Sequence, residues 1–223
     1  MATRYSPAIV TSGLVLCLDA ANRKSYSGTG TTWTDLSGNN YTHNLSNASF
    51  TVFQNVSCFN MTTTGYARPA SSTYTFTTTY TLIAWTNALS DAQVATWRTL
   101  WRTQPDDHPL LIQDSTDTIG YYDNNSAGFV SYGATLSGLG LTNKWTMFTI
   151  TGTGGSSYLY YNGANYIGSV AYGLNGLTHD AIGSTNGGDQ AFGYVATANL
   201  YSRNLSTTEI LQNYNATKSR FGL

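Results

Sequence analysis

Apolar and polar residues alternate in short segments along most of the chain, and turn-forming residues separate one segment from the next. Successive side chains of a β-strand point to opposite faces, so this period of two predicts strands with one buried face. Predicted strands cover residues 13–18, 80–85, 96–102, 110–113, 118–122, 128–132, 145–151, 157–161, 165–170, 180–183 and 192–201, and a hairpin turn is expected at residues 162–163.

The segment 96–102 has a helical alternative, because Trp97 and Trp101 are four residues apart. Its threonine content and Pro105 just beyond it favour a strand. That strand would place Trp97, Thr99 and Trp101 on one face.

One helix is predicted near the C-terminus. Ser206 and Glu209 have the spacing of a capping box, in which each side chain binds the backbone amide of the other. Ile210, Leu211 and Tyr214 follow as an apolar stripe on one helix face. Residues 23–47 are rich in Gly, Ser, Thr and Asn and are expected to form long surface loops.

Length and composition favour one folded domain over residues 1–223. A chain of 223 residues is long enough for a β-sandwich with its own core, and 41% of its residues are hydrophobic. With a net charge of −1, the protein has no excess of positive charge to attract a phosphate backbone, so nucleic acid is not an expected partner. Residues 13–18 are interpreted as a strand of the mature protein rather than as part of a signal peptide, and no stretch is long and apolar enough for membrane insertion.

The two cysteines, Cys17 and Cys58, do not form a zinc motif. They are expected to be buried free thiols, because free cysteine is usually buried. A bridge between them is the alternative.

Catalytic patterns are missing from the sequence. A glycoside hydrolase needs two paired carboxylates, but the chain has a single Glu, Glu209, which the capping box already explains. His43, His108 and His179 are expected on the surface or in loops, and no nucleophile elbow precedes a helix. The sequence therefore predicts a protein that is not an enzyme, with no catalytic residues.

Three segments together resemble the laminin-G-type, concanavalin-A-like domain. They are the Trp strand and hairpin at 145–163, the Ile-Gly strand at 180–183, and the closing strand with its capped helix at 192–210. The resemblance extends over about residues 75–215. It implies an all-β fold, a concanavalin-A-like jelly-roll sandwich of two antiparallel sheets with one short C-terminal helix.

The two ends of the chain carry a narrower resemblance. Residues 13–38 and 212–223 are similar to the ends of such domains in tailed-bacteriophage proteins. This resemblance implies a virion structural protein, made in the host cytoplasm, that acts by contacts with capsid or tail subunits. A capsid decoration protein is the form expected first, and homo-oligomeric assembly is an option.

A carbohydrate-binding adhesin, as a tail or fibre module, is the alternative function, because a fold of this kind hosts many functions. Its host glycan would contact a cluster of loop residues that combine aromatic rings with oxygen ligands. Calcium could assist that site, although the residue spacing matches no defined calcium loop, so neither a metal site nor another cofactor is predicted. The cluster comprises Asp107, His108, Tyr121, Tyr122, Asp123 and Asn124.

Overall fold

The structure is a computed structural model that describes residues 8–62, 64–90, 92–93, 96–183 and 190–223. Sixteen strands and one α-helix are assigned within those residues. The strands are β1 (Leu14–Asp19), β2 (Thr32–Trp33), β3 (His43–Ser46), β4 (Ser49–Phe53), β5 (Val56–Met61), β6 (Tyr66–Pro69), β7 (Tyr80–Ala88), β8 (Arg98–Gln104), β9 (His108–Ile112), β10 (Thr118–Asp123), β11 (Gly128–Thr135), β12 (Trp145–Thr153), β13 (Ser156–Tyr161), β14 (Asn165–Val170), β15 (Thr178–Gly183) and β16 (Gly193–Tyr201). The helix α1 spans Thr207–Thr217 and continues into a 3₁₀ turn, Lys218–Phe221.

The strands form two eight-stranded antiparallel sheets. Sheet A has the order β14-β13-β12-β7-β16-β5-β4, with β1 also paired to β16. Sheet B has the order β11-β10-β9-β8-β15-β6-β3-β2. Together they make the predicted all-β jelly-roll sandwich with one short C-terminal helix, which confirms the predicted fold class.

The main core lies between the two sheets, where strands of both sheets turn apolar side chains inward. Sheet A contributes Leu16, Phe59, Leu82, Ile150 and Leu200, and sheet B contributes Leu45, Leu100, Leu110, Ile119, Tyr121 and Ile182. Burying such side chains stabilises a fold by roughly 1.5–3 kcal/mol each.

A second apolar cluster covers the opposite face of sheet A. There the ring of Phe221 stacks on Trp85 with centroids 3.9 Å apart, and Trp145 lies 5.4 Å away. Ile210 of α1 is also buried in this cluster. Trp85 and Trp145 are therefore core residues on the helix side of the sandwich.

The helix begins as its sequence predicts. The Ser206 side chain accepts a hydrogen bond from the Glu209 amide, and Glu209 accepts one from the Ser206 amide. Arg203 adds a two-armed ion pair to the same carboxylate, at 2.6 and 3.0 Å. The predicted stripe is wrong at Leu211, which is 44% exposed because it lies beyond the edge of the apolar cluster.

The interpretation of residues 23–47 as long surface loops is wrong in part. This segment includes β2 and β3, and it buries Trp33 completely against Phe59, with ring centroids 4.7 Å apart. Strands β4, β5 and β6 were also not predicted. These strands are only four to six residues long, SFTVF, VSCFNM and YARP, and long-range pairing places them in the sheets: β5 pairs with β16 and β4, and β6 pairs with β15 and β3.

Both cysteines are free. Cys58 is buried and Cys17 is partly buried. Burial raises the pKa of Cys17 to about 12 and that of Cys58 to about 11, so both thiols are protonated at neutral pH. Among the described residues, neither helical segment has the length and apolar character that crossing a bilayer would require.

Candidate functional site

Irregular pairing in sheet B brings a mixed set of side chains to its outer face, the face turned away from the core. The pairing of β8 with β9 shifts register between Thr99 and Trp101. On β9, two residues separate His108 from Leu111, whereas on β10 a single residue separates their partners. A β-bulge of this kind reverses which face the following side chains occupy. Thr99, His108 and Leu111 therefore share the outer face, whereas Trp101 turns into the core.

These shifts build an outer-face cavity of about 230 Å³. It takes one wall from the segment before β8, its floor from β8 and β9, and another wall from β10. Its lining residues are Trp97, Thr99, His108, Leu111, Tyr122 and Gln190. Half-buried aromatic rings and buried polar groups thus meet in one place.

The aromatic wall consists of Trp97 and Tyr122. Their rings are nearly perpendicular, at 80°, with centroids 6.2 Å apart, and Tyr122 also meets His108 edge-on at 5.9 Å. Phe129 supports Trp97 from behind at 5.4 Å. Edge-to-face contacts of this kind hold aromatic rings in defined orientations.

Gly120 makes room for that support. A Cβ atom at Gly120 would lie 2.2 Å from the ring of Phe129, so a side chain there would displace the ring. The absence of a side chain on β10 thus allows Phe129 to lie across the strand and contact Trp97.

The polar wall is a chain of hydrogen bonds. Thr99 Oγ1 donates to Gln190 Oε1 at 2.5 Å and lies 3.0 Å from His108 Nδ1. A threonine hydroxyl has one proton to give, so its second bond is accepted from the Nδ1–H of His108. Burial, with the nearby charge of Arg102, lowers the pKa of His108 to about 4, and the ring is neutral at pH 7.

Ion pairs border the cavity along the same face of sheet B. Asp180 contacts both Arg68, at 2.8 Å, and Arg102, at 3.0 Å. Arg102 also pairs with Asp106. The cationic groups of this row are therefore balanced by carboxylates.

The six residues predicted as a ligand site divide into three groups. His108 and Tyr122 line the cavity. Tyr121 is fully buried in the core, where its hydroxyl donates to Asp107 Oδ2 at 2.8 Å. Asp123 accepts the amides of Ser126 and Ala127 within its own turn, and exposed Asn124 donates its amide to Asp107.

Asp107 and Asp123 therefore have structural partners. Burial raises the pKa of Asp107, whereas hydrogen bonds led by that from Ser126 lower the pKa of Asp123. Within the described part of the chain, no group of three or more acidic, histidine or cysteine side chains is arranged to hold a metal ion. Nearby Asp117 also has a structural partner, because it pairs with the buried Arg98 at 2.8 Å.

Sequence reasoning missed Trp97, Thr99, Leu111 and Gln190 as cavity residues. Trp97 was recognisable as a strand-edge aromatic, but its partners depend on the bulges, which leave no mark in a period-two pattern. Gln190 lies outside the named strands, and two hydrogen bonds join it to Thr99.

The expectation that the three histidines lie on the surface or in loops is wrong, because all three are buried strand residues. His43 is 0%, His179 3% and His108 8% exposed. His43 and His179 face each other across strands β3 and β15, with their Nε2 atoms 2.9 Å apart. Burial lowers the pKa of His43 to about 4 and that of His179 well below its usual range.

No protein-family model and no curated protein matches this chain. Among solved structures, it is similar to the sialidase of Trypanosoma rangeli in complex with 2,3-difluorosialic acid, with a TM-score of 0.65 and 17% identity over 98% of this chain and 36% of that one. It is also similar to the ligand-binding domain of botulinum neurotoxin serotype D in complex with N-acetylneuraminic acid, with a TM-score of 0.63 and 18% identity over 92% of this chain and 51% of that one.

The chain shares the fold of these β-sandwich domains. The likeness agrees with the concanavalin-A-like jelly roll expected from the sequence, and at this level of identity it shows the fold alone. The chain spans about a third of the sialidase and half of the toxin domain.

The prediction that the protein is not an enzyme is corrected by the same comparison. Sialidases are enzymes, and several of their structures align with nearly all of this chain. The absence of a paired-carboxylate motif argues against one catalytic arrangement. It does not exclude enzymes in general.

Proposed function

We propose that this domain binds carbohydrate in the outer-face cavity of sheet B. The observation that carries the proposal is the meeting of a half-buried aromatic wall, Trp97 and Tyr122, with a polar wall built from Thr99, His108 and Gln190. This was the alternative function expected from the sequence, and the cavity shares only His108 and Tyr122 with the predicted ligand cluster.

The two walls match the two kinds of surface on a sugar. A pyranose ring has an apolar face of C–H groups, which packs on an aromatic ring, and an edge of hydroxyls, which need hydrogen-bond partners. Trp and Tyr offer large apolar area together with a polar edge. Concave sites that combine apolar walls with a few fixed polar groups are typical of small-ligand sites.

The structural comparisons support the proposal at the level of the fold. Both kinds of similar structure were solved with a sialic acid or a derivative bound to the protein. A β-sandwich of this shape thus occurs in proteins that handle glycans. The choice of cavity in this chain rests on its own side chains.

A glycan array with the full chain tests the proposal, using Trp97→Ala as the test variant. We expect binding to a subset of glycans and a loss of about tenfold or more in Trp97→Ala, because the sugar loses its stacking surface. Tyr166→Ala is the matched control, since Tyr166 is a 54% exposed aromatic residue on β14 of sheet A. A flat array, or equal binding by Trp97→Ala and wild type, would overturn the proposal.

The virion assignment stays a prediction that rests on the resemblance of the two chain ends to tailed-phage proteins. A carbohydrate-binding domain would suit a tail or fibre adhesin, so the two ideas are compatible. Contacts with capsid or tail subunits likewise stay a prediction, and calcium assistance stays the alternative to the predicted absence of a cofactor. Immunogold labelling of intact particles tests the location, and a thermal shift with millimolar calcium tests the ion.

A further inference from the structure

We propose that the outer-face cavity selects an uncharged pyranose over a sialic acid, and that the sugar donates a hydroxyl hydrogen bond to Nε2 of His108. This inference rests on the proposed function and specifies the ligand class of the same site. Three features carry it: the charge of the lining, the tautomer of His108, and the partners of the nearby arginines.

Among the described residues, the lining holds no cation that could neutralise a carboxylate. Its described residues are two aromatic residues, a leucine, a threonine, a glutamine and His108. His108 is neutral at pH 7, since burial lowers its pKa to about 4. Moving a carboxylate into a partly dry site without a cation is costly, because the ion loses its hydration and gains no partner.

The cations beside the cavity are already engaged by carboxylates. Arg102 pairs with Asp180 and Asp106, and Arg98 is fully buried and pairs with Asp117. A sialic acid carboxylate would have to compete with these aspartates and would be repelled by their charge. An uncharged sugar meets no such cost.

The hydrogen-bond chain fixes which nitrogen of His108 faces a ligand. Gln190 Oε1 takes the Thr99 proton, so Thr99 Oγ1 accepts from Nδ1–H of His108. A neutral imidazole carries one N–H, and Nε2 is therefore a lone-pair acceptor. Among the described residues, none forms a hydrogen bond with Nε2 of His108. This atom is also not one of the fully buried polar atoms that lack a partner, so it is open to the cavity.

Thr99 therefore acts as a positioning residue for His108. Its hydroxyl holds the ring in one tautomer and one orientation without touching the sugar in this scheme. Thr99→Val has nearly the same shape and removes the hydroxyl, whereas Thr99→Ser keeps it. We expect Thr99→Val to weaken sugar binding about tenfold and Thr99→Ser to retain it, since one well-placed hydrogen bond contributes on the order of tenfold.

The experiment is an NMR titration of the full chain with methyl pyranosides. The probes are the methyl glycosides of glucose, galactose, mannose, N-acetylglucosamine and N-acetylgalactosamine, set against methyl α-N-acetylneuraminate. We expect at least one uncharged glycoside to shift the indole N–H of Trp97 and the ring signals of His108, with about tenfold or more weaker binding of the neuraminate. His108→Phe, which keeps a ring and lacks the acceptor, should bind that uncharged glycoside about tenfold more weakly than wild type.

The outcomes separate this inference from the proposed function. Binding of the neuraminate as tightly as any uncharged glycoside, with the same shifts at Trp97, would overturn the selection for uncharged sugars and leave carbohydrate binding standing. Equal binding by Thr99→Val and wild type would overturn the hydrogen bond to His108. No shift with any probe would overturn the inference as a whole, while the array with Trp97→Ala judges the proposed function by itself.

Discussion

The three histidines show how strongly position decides what a residue does in this protein. Each ring is neutral at pH 7, although each has a polar neighbour. Burial removes the charged form from water, and this is the largest cause of the lowered pKa of all three. His43 Nδ1 lies 2.7 Å from the Tyr41 carbonyl and so carries the proton, which leaves His43 Nε2 to accept from His179 Nε2–H. A lone His in a polar sequence gives no sign of such pairing, so the sequence could not predict it.

This burial predicts an acid-sensitive fold. The native pKa of His43 is about 4 against 6.5 for the unmodified group, so below pH 6.5 the unfolded chain binds protons that the native chain does not. The contribution of the neutral, buried His43 to the free energy of unfolding is therefore fully present above about pH 6.5 and is lost as the pH falls toward 4. Between pH 7 and pH 5 we expect a loss of roughly 2 kcal/mol from His43, before most carboxylates titrate, and the lowered pKa of His179 acts in the same direction.

Urea unfolding at pH 7 and at pH 5 measures this loss. The double variant His43→Gln with His179→Gln keeps a polar pair that does not titrate, and it should lose clearly less stability over the same range. An equal loss in the double variant and in wild type would contradict the assignment to this pair.

At the scale of elements, the local rules predict where the strands and the helix lie, and they fail where pairing becomes irregular. Strands β7, β12, β13, β14 and β16 lie where alternation places them, within a few residues. On β8 the bulge turns Trp101 into the core, away from Thr99, against the predicted common face. The partner strand imposes the bulge, and the sequence of one strand does not contain that information.

The start of α1 depends on residues that are close together in the sequence. Its capping box can therefore be tested by a single substitution. Ser206→Ala removes the acceptor for the Glu209 amide and one partner of the Glu209 carboxylate, so we expect a loss of about 1 kcal/mol in the free energy of unfolding. Ser206→Thr keeps the hydroxyl and should stay close to wild type. If Ser206→Ala and Ser206→Thr unfolded alike, the capping contribution would be refuted.

At the scale of the whole molecule, the fold class followed from the sequence and the position of the outer-face cavity did not. Alternation, turns and the capped helix were enough to predict a two-sheet sandwich. The outer-face cavity combines β8, β9 and β10 with Gln190, which is 91 residues from Thr99 along the chain. Its location depends on strand order and register, which are long-range properties, so only His108 and Tyr122 of the predicted cluster reached it.

Long-range closure also joins the start of the described chain to its end. The Val10 amide donates to Asn213 Oδ1 at 2.7 Å, and the Tyr201 hydroxyl donates to the Val10 carbonyl at 2.9 Å. Asn213 Nδ2 donates to the same hydroxyl at 3.1 Å, which closes a buried triangle between β16, α1 and the segment before β1. All three residues are at most 8% exposed.

Asn213→Ala should therefore destabilise the whole sandwich rather than the helix alone. It leaves the buried Val10 amide without a partner, and an unsatisfied buried donor costs about 1–3 kcal/mol. Asn215→Ala is the matched control, because Asn215 is exposed on the same helix and alanine is the better helix former. We expect the urea midpoint to fall for Asn213→Ala and to hold or rise for Asn215→Ala.

Equal midpoints for Asn213→Ala and wild type would mean that the triangle contributes nothing to joining the two ends, and that the apolar cluster around Trp85 and Phe221 holds α1 by itself.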